Sequence, residues 1–347
     1  MSNTSLRDRL TRALGDEYAI DAEIGAGMSR VYAATELGLG RRVVIKVLPP
    51  ELAGEISHDR FRREIQLVAT LQHPHIVPLL VAGEADGLPY FTMPFVEGET
   101  LRQRLQRGPL DLREAFQVFR DVLKALAWAH AHGVVHRDVK PENVMLSGGV
   151  AVVTDFGVAK ALEAAQHPQY ASGRMSMGLS VGTPQYMAPE QAAADPSADH
   201  RADLYAIGMV AYEALCGAHP FEGKRGMALM TAHATETPPP LKPRVPHVPS
   251  AICNVIMQAM AKRAEERPPS ADAVLAVLDG LSTPRPSTAL SMEVSGASVA
   301  SAASAARNGP RGTRDTIRLP RRATVAGLIA GGMLLLLALF AVLATRR

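Results

Sequence analysis

The chain has 347 residues, 47% of them apolar, enough to bury a large core and to hold two or three folded units. A net charge of +3, with no dense Lys/Arg stripe interleaved with aromatics, argues against a nucleic-acid partner. The 2 cysteines, Cys216 and Cys253, form no CxxC and have no histidine at ligand spacing, which excludes a zinc or disulfide framework and fits a reducing compartment.

Residues 2–15 carry charges throughout and lack the apolar stretch of a signal peptide. Leu6, Leu10 and Leu14 recur four apart behind Ser5, a capping residue, so the spacing predicts an amphipathic helix within residues 1–16 that packs on the adjoining domain. Residues 23–32 read as strand, glycine turn and strand; Gly25 and Gly27 let backbone N–H groups approach a phosphate with no Cβ in the way. Alone, such a turn is more often an ordinary hairpin. It precedes an apolar strand, residues 42–47, whose single lysine is Lys46; an isolated lysine there normally sits at a solvent-facing edge. Residues 61–71 form an amphipathic run containing Glu64, by itself a solvated helix residue.

Residues 136–143 read His-Arg-Asp-Val-Lys-Pro-Glu-Asn, and Asp155-Phe156-Gly157 come shortly after. In that loop Asp138 can receive a hydroxyl proton, Lys140 can meet phosphate charge, and Asn143 can hold a divalent metal, with Asp155 as a second ligand. Each tripeptide alone could be chance; both in this order and spacing point to phosphoryl transfer.

Residues 282–322 turn to Ser, Ala, Thr and Pro, a composition that cannot offset its ordering entropy, and end in a basic run with Arg311, Arg314, Arg318, Arg321 and Arg322. Residues 323–345 carry no charge and are long enough to span the roughly 30 Å hydrocarbon core, with a short tail at 346–347. The excess of arginine before the span predicts a single-pass cell-membrane protein with its large domain in the cytoplasm. Gly327 and Gly331, four apart, form a small-residue ridge that would let two such helices pair as a homodimer.

These motifs together resemble the eukaryotic-type (Hanks-type) serine/threonine protein kinases found in bacteria, over about residues 18–281. The resemblance implies an α+β bilobal protein-kinase fold across residues 17–281, with a mostly β N-lobe at 17–95 and a mostly α C-lobe at 96–281, joined here to one C-terminal transmembrane helix. It implies ATP with magnesium, or manganese in its place, and protein substrates phosphorylated on serine or threonine in signalling at the membrane, with autophosphorylation. Asp138 and Lys140 are then the catalytic pair, and Asn143 and Asp155 the metal ligands. Nucleotide contacts fall on Ile24, Gly25, Ala26, Gly27, Met28, Ser29 and Val31, and on Lys46 paired with Glu64. In the inter-lobe strand and hinge they fall on Met93 behind the adenine, the Pro94 carbonyl and the Val96 amide. Proline lacks only the N–H, so Pro94 loses nothing there.

The family pattern also implies that Glu190 pairs with Arg267, that Asp203 braces the loop of Asp138, and that Arg137 meets a phosphate on an activation segment carrying Ser172, Ser176, Ser180 and Thr183. Two departures stand out. The glycine loop is one residue shorter than GxGxxGxV, and aligning on Val31 puts Ser29 at the third glycine. The positions where bacterial relatives often carry threonine are Met175 and Met177, with Ser176 between them. Two other readings compete: a membrane-tethered pseudokinase acting as a nucleotide-binding scaffold, and a small-molecule kinase. The stretch Gly182-Thr183-Pro184-Gln185-Tyr186, running on to Ala188-Pro189-Glu190, resembles a protein-substrate platform and disfavours the second.

Overall fold

The computed structural model describes residues 5–26, 29–48, 58–157 and 184–282. The first helix, α1 (Leu6–Leu14), starts where the Ser5 side chain accepts from the Asp8 amide at 3.2 Å. Its leucine face joins the core of an antiparallel sheet: Leu10 and Leu14 are buried with Tyr18, Ile20, Tyr32 and Tyr90. Arg7 Nη2 donates to the Ile20 carbonyl at 3.1 Å, and Arg9 pairs with Asp86 at 2.5 Å. The helix is therefore part of the sheet layer.

That sheet contains β1 (Tyr18–Ala26), β2 (Arg30–Glu36), β3 (Arg41–Val47), β4 (Val81–Ala85) and β5 (Leu88–Pro94), ordered β1-β2-β3-β5-β4. Helix α2 (His58–Ala69) covers its other face, where Phe61 and Ile65 pack with Leu48, Val77, Phe91 and Met93. A second, three-stranded sheet consists of β6 (Glu99–Thr100), β7 (Val144–Ser147) and β8 (Val150–Val153). The two layers meet where the Val77 amide donates to the Val153 carbonyl and the Val153 amide to the His75 carbonyl, both at 2.9 Å.

The remainder is helical: α3 (Leu101–Leu105), α4 (Leu112–Ala131), α5 (Pro189–Ala192), α6 (Arg201–Cys216), α7 (Gly226–Thr235), α8 (Leu241–Arg244), α9 (Ser250–Ala259) and α10 (Ala271–Ser282). Helix α6 is buried on nearly every side, the mark of a central core helix. A β layer at the N-terminal end and a helical layer after it make a bilobal α+β fold.

The expected transmembrane helix, and the single-pass membrane location and homodimer that rested on it, must be corrected. Among the described residues no helix is long and apolar enough to cross a membrane. Helix α4 reaches 20 residues, but Arg113, Glu114, Arg120, Asp121 and Lys124 interrupt its apolar sequence, and it packs inside the helical lobe. Residues 323–345, on which the expectation fell, lie outside the described residues, as does most of 282–322.

One long-range ion pair ties this lobe together. Arg267, fully buried, meets both carboxylate oxygens of Glu190 at 2.5 and 2.7 Å. Its other donors reach the carbonyls of Ala261, Arg201 and Lys262. Arg267→Met would strand the Glu190 carboxylate and three carbonyls at once. The expected loss is about 3–5 kcal/mol of unfolding free energy, read as a lower urea midpoint; an unchanged midpoint would mean that the pair does not hold the lobe.

Candidate active site

Strands β1 and β2 form a hairpin in which Gly25 faces Val31 and Ala26 faces Arg30. The connection therefore spans only residues 27–29. Ile24 is 52% exposed at the end of β1, and Val31 is half-buried. Gly27 and Met28 lie outside the described residues, whereas Ser29 begins β2's approach.

Val31 pairs across the sheet with Lys46, and Lys46 with Phe91 on β5, so directly opposed side chains share one face. Lys46 Nζ is held by Asp155 Oδ2 in a mostly buried ion pair. Glu64, expected as its partner, is half-buried on α2. At the end of β5, Met93 is buried against Phe61, Ile65 and Val77, while Pro94 and Val96 are half-buried. The Arg42 guanidinium lies 3.8 Å from the Phe95 ring centroid, bracing this crossing.

The loop after α4 is held by its own side chains. Lys140 Nζ donates to Asp138 Oδ2 at 2.6 Å. Asn143 Nδ2 donates to the Asp138 carbonyl at 2.8 Å and to Oδ2 at 3.2 Å. A 3₁₀ turn over Pro141–Asn143, with proline at its start, brings Asn143 back under Asp138. Thr154, just before Asp155, is fastened twice: its amide donates to the Asn143 carbonyl at 2.9 Å, and its carbonyl meets His136 Nε2 at 2.8 Å. The other ring nitrogen of His136 accepts the Asp138 amide at 3.2 Å, so the ring is neutral with its proton on Nε2. One fully buried imidazole thus ties Asp138 to the turn of Asp155.

Two residues here take backbone angles that side chains resist, Arg137 at φ 67° and Asp155 at φ 64°. Each costs on the order of 1–3 kcal/mol and persists only where the surroundings enforce it. For Arg137 the enforcement comes from Asp203 on α6. Its Oδ1 accepts the Arg137 amide and its Oδ2 the His136 amide, each at 2.8 Å, and His130 Nε2 adds a third contact at 2.8 Å. Burial alone would raise the Asp203 carboxyl; the hydrogen bonds from His130 and from the His136 amide outweigh it and hold the group below its usual range. For Asp155 the neighbour Gly157 matters: at φ 62°, an added Cβ would lie 2.5 Å from a Val68 methyl, so only glycine fits.

The Asp155 carboxylate has one oxygen on Lys46; the other, Oδ1, is buried and accepts no hydrogen bond. A buried orphan carboxylate oxygen is costly unless a cation takes it. No group of three His, Cys, Asp or Glu among the described residues forms a closed metal cage. Asp155, on the turn fastened to Asn143 through Thr154, would instead leave an open site, the kind that suits magnesium sharing its ligands with a nucleotide's phosphates.

Beside the loop stands a cluster that no local spacing announces. Arg102 on α3 meets Glu142 at 2.8 Å, Glu213 on α6 at 2.7 Å, and the Tyr186 hydroxyl. Tyr186 in turn donates to Glu213 at 2.5 Å; burial and that carboxylate push its hydroxyl pKa up. Gln191 Nε2 donates to the Arg137 carbonyl at 2.9 Å while its oxygen accepts the Ala188 amide at 3.2 Å, which fastens the stretch after Pro184 to the loop of Asp138. Ser172, Ser176, Ser180 and Thr183 lie outside the described residues.

Residues 18–277 match the family described as "Protein kinase domain". The chain is 40% identical over 262 residues to the serine/threonine-protein kinase PknB of Mycolicibacterium smegmatis, covering 73% of this chain and 41% of the relative. It is 39% identical over 286 residues to a probable serine/threonine-protein kinase of Corynebacterium efficiens, covering 79% and 42%. The chain thus spans about two fifths of the length of these curated relatives. Among solved structures, the PknI kinase domain of Mycobacterium tuberculosis superposes with a TM-score of 0.59 at 28% identity, covering 77% of this chain and 96% of that one. The chain belongs to the protein kinase family, as a bacterial Hanks-type serine/threonine kinase domain of the PknB-like kind.

Proposed function

We propose that the chain transfers the γ-phosphoryl group of ATP to serine and threonine hydroxyls of proteins. The observation that carries this reading is the orphan Asp155 Oδ1, on a turn stapled to the loop where Asp138, Lys140 and Asn143 converge. With Oδ2 of Asp138 engaged by Lys140 and Asn143, Oδ1 is left to orient the acceptor hydroxyl and take its proton. Lys140 offsets the charge of the moving phosphoryl group. Asn143, whose amide nitrogen is committed to the Asp138 carbonyl, and Asp155 offer oxygens to magnesium or manganese. When bound, that ion neutralises the phosphate oxygens.

On the nucleotide side, Lys46 orients the phosphates from the position it holds beside Asp155, and Gly25, Ala26 and Ser29 supply the backbone of the covering turn. Ile24 and Val31 offer apolar surface to the adenine, Met93 closes the rear, and the Pro94 carbonyl with the Val96 amide reads the base edge. The scaffold alternative has the shortened glycine turn in its favour. Against it stands a complete set of acid, base and metal-ligand groups in one neighbourhood. Full-length protein incubated with labelled ATP, magnesium and myelin basic protein should label the substrate on serine or threonine. Nucleotide binding without any transfer would leave the scaffold reading in its place.

A further inference from the structure

Two imidazoles, a half-buried His219 and a fully buried His233, underlie the stretch Pro184 to Tyr186, and phosphoryl transfer itself gives them no task. His219 sits in the connection between α6 and α7. Its Nε2 meets the Gln185 carbonyl at 2.7 Å, and its Nδ1 accepts the Phe221 amide at 3.1 Å. A carbonyl demands a donor and an amide demands an acceptor, so this ring is neutral with its proton on Nε2. His233, on α7, is fully buried, with Nδ1 2.8 Å from the Tyr205 hydroxyl. With that hydroxyl donating, its proton also rests on Nε2. That nitrogen is buried without a hydrogen bond, and the Pro184 and Gln185 backbone lies close enough to favour charge on it. The two rings stand edge-on with centroids 6.1 Å apart.

What His219 holds is joined to the transfer loop. Gln185 is exposed while its carbonyl is pinned from below, so the backbone is fixed and the side chain is offered outward. Tyr186 is anchored by Arg102 and Glu213, and Gln191 carries the same stretch onto the Arg137 carbonyl, one residue from Asp138. We propose that His219, stacked edge-on against the buried His233, is a positioning residue that holds the Gln185 carbonyl where a protein substrate must lie against the transfer loop. This rests on the kinase reading.

The electrostatics agree. Burial pushes both imidazoles below the ordinary value of 6.5, His233 to about 4. Around His219, Glu213 and Glu222 favour the charged form and Arg102 opposes it; around His233, His219 and Lys262 both oppose it. The lysine is itself depressed to about 8 by burial and by Arg267. Protonating His219 would turn Nδ1 from acceptor into donor against the Phe221 N–H, so the ring loses its seat beneath Gln185 on the acid side and keeps it at neutral pH.

The test uses the full chain with myelin basic protein and compares His219→Leu with His219→Gln, whose side-chain amide nitrogen can still donate to the Gln185 carbonyl. His219→Leu should raise KM for the protein substrate about tenfold, the size of one lost hydrogen bond, with KM for ATP unchanged. His219→Gln should recover most of that loss. It should also flatten the rise in protein KM expected of the wild type on the acid side, where the depressed His219 imidazole takes up a proton. Equal effects on both KM values, no effect on either, or a glutamine variant that is folded by thermal melting yet no better than leucine would each overturn the assignment. Absence of transfer by the wild type would overturn the kinase reading, and this inference with it.

Discussion

Asp138→Asn is expected to slow phosphoryl transfer by about a hundredfold to ten-thousandfold, the range for losing a positioned general base, while ATP still binds. Asparagine preserves the shape and can still accept from Lys140 and Asn143 through its carbonyl oxygen, so the loop should keep its form. What it cannot do is take the hydroxyl proton. Lys46→Met should fail differently. It removes the cation that holds Asp155 Oδ2 and leaves a buried carboxylate with neither oxygen paired, so nucleotide affinity should fall along with the rate. Initial rates measured beside calorimetric ATP titrations separate the two defects. Equal rates for wild type and Asp138→Asn would remove Asp138 from the chemistry.

The parts of this site that were legible in the sequence are those that a short stretch of chain encodes. Asp138, Lys140 and Asn143 fall within one loop, and a 3₁₀ turn is enough to fold them onto each other. The shortened glycine turn was legible too, because strand register converts residue counting directly into geometry; Gly25 opposite Val31 is the result. The pairing of Glu190 with Arg267 came from family order, since 77 residues separate them and no periodicity connects such positions.

Where sequence reasoning went astray, the deciding contact was tertiary. The contact of Lys46 with Asp155 was not foreseen, because which carboxylate meets the lysine depends on how the turn after β8 sits beneath the sheet. His136 was in plain view within the motif, yet its task depends on which nitrogen carries the proton, and that is set by the Thr154 carbonyl on one side and the Asp138 amide on the other. Arg102, Tyr186 and Glu213 meet from three distant segments, so nothing local marks them. The uncharged run at 323–345 read as a spanning helix from hydropathy alone. The described fold contains no helix fit to cross a membrane, and a kinase fold needs none for the site to assemble.

Asp203→Ala should damage stability and turnover together, although Asp203 touches no reacting atom. Its two oxygens accept the His136 and Arg137 amides in a fully buried setting, and His130 supports it from the side. Alanine strands both N–H groups, and each buried unsatisfied donor costs about 1–3 kcal/mol. It also removes the restraint that keeps Arg137 at φ 67°, so the loop is free to relax away from the geometry that aims Asp138. The urea midpoint should drop, and kcat should fall by about a hundredfold or more, because an ångström of misplacement at a reacting group is enough for that. Asp203→Asn should fall between: its one carbonyl oxygen can serve one amide, while its –NH₂ faces the other donor. KM for ATP should move little in either variant, since the nucleotide contacts proposed above lie chiefly on β1, β2, β3 and β5. A kcat that survives Asp203→Ala in folded protein would show that the catalytic loop holds its shape without the brace from α6, and the strain at Arg137 would then need another source.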